Sequence, residues 1–202
     1  MYKQITWIAI LAAVFVWSAI EPKDRPTWFL EVFPVIIGAV VLAATYRHFR
    51  LTGLLYVLIL LHAIVLLVGG HYTYAEVPLF NELKTLLGSG RNNYDKVGHF
   101  MQGFVPAMIA RELIIRLDLI RGRYWRNFFI ICFVLALSAF YELLEWWVAL
   151  ASEEAAEAFL GTQGYEWDTQ SDMGYALFGA VAALLLLSKL QDRQLRELLQ
   201  HR

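Results

Sequence analysis

Residues 52–70 read TGLLYVLILLHAIVLLVGG, and they contain no acidic residue, lysine or arginine. The hydrocarbon core of a bilayer is about 30 Å thick, and a helix needs roughly 20 consecutive apolar residues to cross it. This stretch therefore predicts a transmembrane helix. The whole chain agrees with it, because 59% of the 202 residues are hydrophobic and only 17% are charged. That composition is too apolar for a soluble domain of this length.

Five further stretches of the chain are long and apolar enough, or nearly so, to span a membrane. The six predicted spans are about residues 4–20, 29–46, 52–70, 96–115, 127–150 and 172–189. The first of them has a longer apolar body than a signal peptide and lacks an A-x-A-like cleavage site, so we expect it to be retained. The sequence predicts an all-α, polytopic membrane protein with about six transmembrane helices in a single integral membrane domain, residues 1–202.

The basic residues favour one orientation in the membrane. If the N-terminus is cytoplasmic, twelve of the 17 lysines and arginines lie on the inner side and five on the outer side. Basic loops stay in the cytoplasm, so we expect both termini inside. Two outer loops then contain predicted short helices. PLFNELKTLL, residues 78–87, has an amphipathic pattern, whereas SEEAAEAFLG, residues 152–161, begins with a capping serine and ends in glycine.

Charge and cysteine content exclude several classes of partner and site. The formal net charge is −1, and no run of lysine and arginine is interleaved with aromatic residues, so we expect no nucleic-acid partner. Cys132 is the single cysteine, which excludes an intrachain disulfide and a zinc-finger pattern. The expected partners are membrane lipids and, for an enzyme, a lipid-linked substrate.

Acidic residues and histidines gather at one end of the predicted spans. Asp95 and His99 lie four residues apart at the start of the fourth span, a spacing that places both side chains on one helix face. The other members of this set, in chain order, are His71, Glu142, Glu145, Asp168 and Asp172. Under the predicted orientation all of them lie at or just below the outer surface, where neighbouring helix ends could aim them at one point.

This set of side chains suits metal or acid–base chemistry. A charged carboxylate inside a membrane costs roughly 2.5–3.5 kcal/mol on insertion scales, so these acids need a proton, a cation or a metal as a partner. Mixed carboxylate and imidazole ligands suit a divalent metal such as Zn, Mn, Fe or Mg, which can activate water or polarise a phosphoryl or carbonyl oxygen. The predicted catalytic residues are Asp95, His99, Glu142, Glu145 and Asp172. The predicted metal ligands are His71, His99, Glu142, Asp168 and Asp172.

Structural roles compete with this hypothesis. Asp95, Asp168 or Asp172 would each serve as a helix cap, and His99 would serve as an interior hydrogen-bonding group. At the level of the whole protein three functions stay open. The first is a membrane-embedded enzyme with an outward-facing acidic and histidine site, acting on the head group of a lipid or lipid-linked substrate. The second is an ion-coupled transporter, and the third is a binding or assembly protein without catalysis.

Glycines recur in two of the predicted spans. Gly98 and Gly103 lie in the fourth span, and Gly174 and Gly179 lie in the sixth. Small residues let the backbones of membrane helices come close together. We therefore expect these glycines to permit close helix approach, which would help the polar helix ends to converge.

Three segments of the chain show a resemblance to a known family. They are DKVGHF (95–100), YELLEWW (141–147) and GTQGYEWDTQSDMGYALFGA (161–180). In this order they resemble the YjdF-type family of bacterial inner-membrane proteins, over nearly the whole chain. More loosely, the chain is similar to VanZ-like membrane proteins, which are associated with glycopeptide resistance, through Asp95, Lys96, His99, Glu142 and Asp172. The resemblance implies a multi-pass protein of the bacterial inner membrane, and it implies no particular reaction.

Overall fold

The computed structural model describes residues 2–88, 90–151 and 165–200, and every regular element in these ranges is an α-helix. The helices are α1 (Tyr2–Ala19), α2 (Arg25–Thr45), α3 (Gly53–His71), α4 (Pro78–Leu87), α5 (Tyr94–Arg116), α6 (Arg123–Ala151) and α7 (Asp168–Gln200). Five of the predicted spans coincide with a helix to within about four residues, whereas the sixth, 172–189, lies within a longer helix that continues to Gln200. The all-α prediction is confirmed. The short helix predicted in 78–87 is α4, and the one predicted in 152–161 lies outside the described residues.

Four of the helices are long and apolar enough to cross a membrane by themselves: α2, α3, α6 and α7. α1 is apolar but shorter, with its apolar part at Gln4–Ala19. α5 is long enough, yet it contains too many polar and charged residues to be classed with the four, and His99, Arg111 and Glu112 are among its buried residues. Its polarity is compatible with a membrane because neighbouring helices cover these side chains.

α5 lies at the centre of the bundle and packs against α3, α6 and α7, while α1 and α2 pack against α3. Two glycines allow α5 and α7 to pack closely against each other. A Cβ atom on Gly103 would overlap the backbone carbonyl of Ala176, and one on Gly179 would overlap the backbone carbonyl of Phe100. The predicted close approach is therefore confirmed at these two positions. At Gly174, by contrast, an added Cβ would meet no atom of another described helix or loop within 4 Å.

A buried network of hydrogen bonds connects α3, α5 and α7 at the predicted inner end of the bundle. The carboxylate of Glu112 accepts hydrogen bonds from the Thr52 backbone N–H at 3.0 Å and from the Thr52 hydroxyl at 2.7 Å. Arg116 donates to the same carboxylate at 2.9 Å. On the α7 side, Arg111 donates to the Gln191 side-chain oxygen at 2.9 Å. Gln191 in turn donates to the Met108 carbonyl at 2.9 Å. These bonds satisfy polar groups that would otherwise be costly to bury.

Candidate functional site

The centre of the candidate site is His99, on the face of α5 that the other helices cover. Asp95 lies in the first turn of α5 and His99 one turn later, so the helix repeat brings their side chains together. His99 Nε2 is 3.3 Å from Asp95 Oδ1. On its other side, the ring nitrogen Nδ1 is 3.2 Å from the Gln102 side-chain oxygen. These two contacts fix the orientation of the imidazole.

Two further carboxylates reach His99 from other helices. Glu142 on α6 places Oε1 3.9 Å from His99 Nδ1, and Asp172 on α7 places Oδ2 3.9 Å from His99 Nε2. One ligand atom from each of Asp95, His99 and Asp172 lies within 4.8 Å of the others. We refer to Asp95, His99, Glu142 and Asp172 as the outer polar group. Three separate helices thus supply carboxylate oxygens and imidazole nitrogens that converge on one small volume.

The outer polar group is shielded from solvent, and two of its oxygen atoms form no hydrogen bond with the described residues. The side chains of His99, Glu142 and Asp172 are 7%, 9% and 5% exposed. Among the described residues, Glu142 Oε1 and Asp172 Oδ1 are buried and form no hydrogen bond. A buried carboxylate oxygen without a partner is destabilising. The site therefore has unused acceptor capacity that a proton, a water molecule or a cation would satisfy.

Arg91 and Asp168 form an ion pair at the predicted outer end of the site. Arg91 Nη1 is 2.8 Å from Asp168 Oδ1, and Arg91 Nη2 is 3.6 Å from Asp95 Oδ2. Asp168 is the first residue of α7, so this ion pair ties the start of α7 to the segment that precedes α5. The guanidinium also offsets part of the negative charge that the buried carboxylates concentrate here.

A comparison with protein families matches residues 3–193 to the model described as "Predicted membrane protein (DUF2238)". The chain belongs to the DUF2238 family. A relative in this comparison is the Inner membrane protein YjdF of Escherichia coli (strain K12), which is 52% identical over 186 residues, covering 92% of this chain and 89% of the relative. No solved structure matches the chain.

These relationships establish where the DUF2238 protein resides. The relative is an inner-membrane protein, and the described part of this chain contains four helices that are apolar and long enough to cross a membrane. The protein is therefore a multi-pass inner-membrane protein, and the predicted family and location are confirmed. The looser likeness to VanZ-like proteins has no support from the comparisons.

The structure does not bring His71 to the outer polar group of this DUF2238 protein. His71 ends α3 next to α1, where Nδ1 is 3.1 Å from the Ser18 carbonyl oxygen. Its ring stacks on Trp17 with ring centroids 4.5 Å apart. The predicted role of His71 as a metal ligand is not supported by this position, because contact between α1 and α3 holds the ring elsewhere. Asp168, also predicted as a ligand, is instead engaged with Arg91.

Glu145 lies beside the outer polar group rather than within it. It is one helical turn from Glu142 on α6, partly buried, and close enough to Glu142, Glu31 and His99 to interact with them electrostatically. It thus adds negative charge to the surroundings of the imidazole. Its predicted catalytic role stays a prediction.

Sequence reasoning missed Glu31 on α2. This buried carboxylate accepts a hydrogen bond from the Tyr141 hydroxyl at 3.2 Å, and the Tyr74 hydroxyl is also within hydrogen-bonding reach of it. Burial raises the pKa of Tyr74 well above its ordinary value, so this phenol keeps its proton and acts as a donor. The available signal was a lone acid within the apolar run WFLEVFPVII, residues 28–37. Tyr141 and Gln102 carried no such signal, because both residue types are ordinary in helices.

Proposed function

We propose that this protein is a membrane-embedded enzyme whose outer polar group acts on the head group of a lipid or lipid-linked molecule. The observation that carries the proposal is the convergence of Asp95, His99 and Asp172, whose ligand atoms lie within 4.8 Å of one another. Ionisable groups inside a membrane are costly, and they commonly serve function. Helix capping alone would not require side chains from three helices to meet around one imidazole.

The contacts suggest a role for each residue. Asp95 holds His99 in one orientation, and His99 can accept or give a proton next to a bound head group. Glu142 and Asp172 each have a buried oxygen that forms no hydrogen bond with the described residues, and these oxygens are acceptors available to a substrate or an ion. Carboxylate and imidazole donors also fit a divalent metal held by Asp95, His99 and Asp172. Such a metal would supply activation of water or polarisation of a phosphoryl or carbonyl oxygen.

An apolar cavity below the site supports a lipid substrate over a water-soluble one. The cavity has a volume of about 360 Å³, and its lining includes Val35, His62, Leu66 and Val105. Val35 lies one helical turn along α2 from Glu31, so the cavity begins close to the buried acids. An apolar cavity of about 150 Å³ can hold a benzene ring, so this one has room for a segment of hydrocarbon chain.

The interior of the bundle gives less support to an ion-coupled transporter. The outer polar group and the inner network around Glu112 are separated along α5 by buried apolar residues, which include Val105 and Met108. On α7 the matching layer contains Ala176, Ala180 and Ala183. A proton or ion crossing the membrane needs polar partners along its path, and this layer offers few.

The proposal is tested by metal content and lipid chemistry together. Wild-type protein, a His99→Gln/Asp172→Asn variant and a control with the exposed Asp118 changed to Asn are purified in detergent and incubated with inner-membrane lipids. We expect a stoichiometric metal in the wild type and the control after supply of Zn, Mn, Fe or Mg, and its loss in the double variant. We also expect a change in head groups, measured by mass spectrometry, that the double variant does not produce.

Each outcome has a defined meaning. Turnover of lipid head groups without any bound metal would support the proposed enzymatic function and contradict a role for a metal in it. If neither lipid head groups nor metal content distinguished the wild type from the double variant, and the variant only melted at a lower temperature, the outer polar group would be structural. That result would favour the binding or assembly function and contradict the proposal.

A further inference from the structure

A second feature lies beside the outer polar group, on the surface of the bundle between α5 and α7. It is an open groove of about 400 Å³ at the predicted outer end. Its lining residues are Asn93, Lys96, Val97, Phe100, Tyr175 and Phe178. The proposed function uses none of these residues, yet Lys96 directly follows Asp95 in the chain. The groove is therefore adjacent to the outer polar group but opens to its surroundings.

Lys96 provides an available positive charge in this groove. Its ammonium donates a hydrogen bond to the Ser171 hydroxyl at 3.0 Å. It also lies over two aromatic rings, 5.2 Å from the centroid of Tyr165 and 5.1 Å from that of Tyr175. Within the described ranges no carboxylate lies within 4.0 Å of this ammonium, whereas Arg91 is paired with Asp168. Aromatic rings and a hydroxyl hold the lysine in place without neutralising its charge.

The deeper part of the groove is apolar. Phe100 lies one turn after Lys96 on α5, and Phe178 lies about one turn after Tyr175 on α7. The two phenyl rings have centroids 5.8 Å apart, and Phe178 is 63% exposed. Both helices run inward from this end in the predicted orientation, so the aromatic wall lies below the charge. A cation above an apolar wall complements an amphiphile with an anionic head and a hydrocarbon chain.

We infer that this groove binds the phosphate of an anionic lipid, with Lys96 contacting the phosphate and Phe100 and Phe178 contacting the chain. Lysine recognises phosphate as a point charge and forms charge-assisted hydrogen bonds with it. Because Ser171, which bonds Lys96, directly precedes Asp172, a phosphate at Lys96 lies next to the outer polar group. The inference rests on the proposed function in one respect: it identifies the substrate class as a lipid with a phosphate in its head group.

The test measures lipid binding independently of catalysis. Full-length wild type, Lys96→Met, Lys96→Arg and the matched control Lys84→Met are prepared in neutral detergent, and Lys84 is an exposed lysine on α4. Phosphatidic acid, its uncharged counterpart diacylglycerol and water-soluble glycerol phosphate are added in turn, and bound lipid is counted by native mass spectrometry. We expect Lys96→Met to weaken phosphatidic acid binding about tenfold or more. We expect little effect from Lys84→Met and partial retention in Lys96→Arg.

The controls separate this inference from its alternatives. Equal binding of diacylglycerol, or equal loss in Lys84→Met, would overturn it, as would glycerol phosphate binding as tightly as the lipid. A melting temperature of Lys96→Arg close to that of the wild type shows that the groove is intact. The His99→Gln variant should still bind phosphatidic acid. Binding by that variant without any lipid turnover by the wild type would therefore leave this inference standing while the proposed function fails.

Discussion

At the scale of single residues, Glu112 is the clearest case of a buried charge whose partners are all identified. Its side chain is fully buried, as is that of Arg116, to which it is paired. The carboxylate also accepts two hydrogen bonds from Thr52, at the start of α3. Removing one member of such a pair leaves the other charge buried without compensation, which is more costly than losing the attraction alone.

We expect Glu112→Gln to lower the free energy of unfolding by about 3–5 kcal/mol, because Arg116 would keep its charge without a counter-ion. The measurement is chemical or thermal unfolding in detergent, compared with the wild type. Glu197→Gln serves as the control, because Glu197 pairs with Arg193 on an exposed surface. Exposed pairs contribute about 0–1 kcal/mol, so this variant should be nearly neutral. Equal effects of the two changes would contradict the importance of the inner network.

At the scale of helices, the α5–α7 contact positions the outer polar group, because α5 supplies Asp95 and His99 and α7 supplies Asp172. The contact depends on two glycines against which the partner helix places backbone atoms. A backbone carbonyl cannot rotate away as a side chain can. An added methyl group would therefore push the two helices apart rather than be absorbed locally.

We expect Gly103→Ala to lower the free energy of unfolding by about 1–3 kcal/mol and to reduce lipid turnover with it. Gly174→Ala on α7 is the matched control, because an added Cβ there meets no atom of the other described segments within 4 Å. Alanine is the better helix former by about 1 kcal/mol, so this control should be neutral or slightly stabilising. Melting temperatures of both variants in detergent provide the measurement, and a stable Gly103→Ala protein would contradict the described helix contact.

At the scale of the whole molecule, the orientation in the membrane decides which compartment the outer polar group faces. The prediction places both termini in the cytoplasm, which puts α4 outside and the connection between α5 and α6 inside. The native Cys132 is exposed on the bundle, so labelling experiments require its replacement by serine first. Glu82 on α4 and Arg121 before α6 are both exposed and suit single cysteine substitutions.

In a Cys132→Ser background, we expect a membrane-impermeant maleimide to label Glu82→Cys in intact spheroplasts. Arg121→Cys should be labelled only after the membrane is permeabilised. The physical basis is the excess of lysine and arginine on the predicted inner side. The reverse labelling pattern would invert the topology, and the outer polar group would then face the cytoplasmic leaflet.

The helices and most of their ends could be predicted from the residues alone, because apolar length is a local property and a run such as residues 52–70 has no other stable state in lipid. That Asp95 and His99 share a helix face was equally predictable, because the helical repeat fixes that relation. Which helix faces meet became known from the packing of the bundle. In the folded bundle His99 lies beside Glu142 and Asp172, Glu31 is close enough to interact with His99 electrostatically, and His71 contacts α1. Those pairings depend on how close two backbones can approach, and hydropathy carries no record of which helices are neighbours.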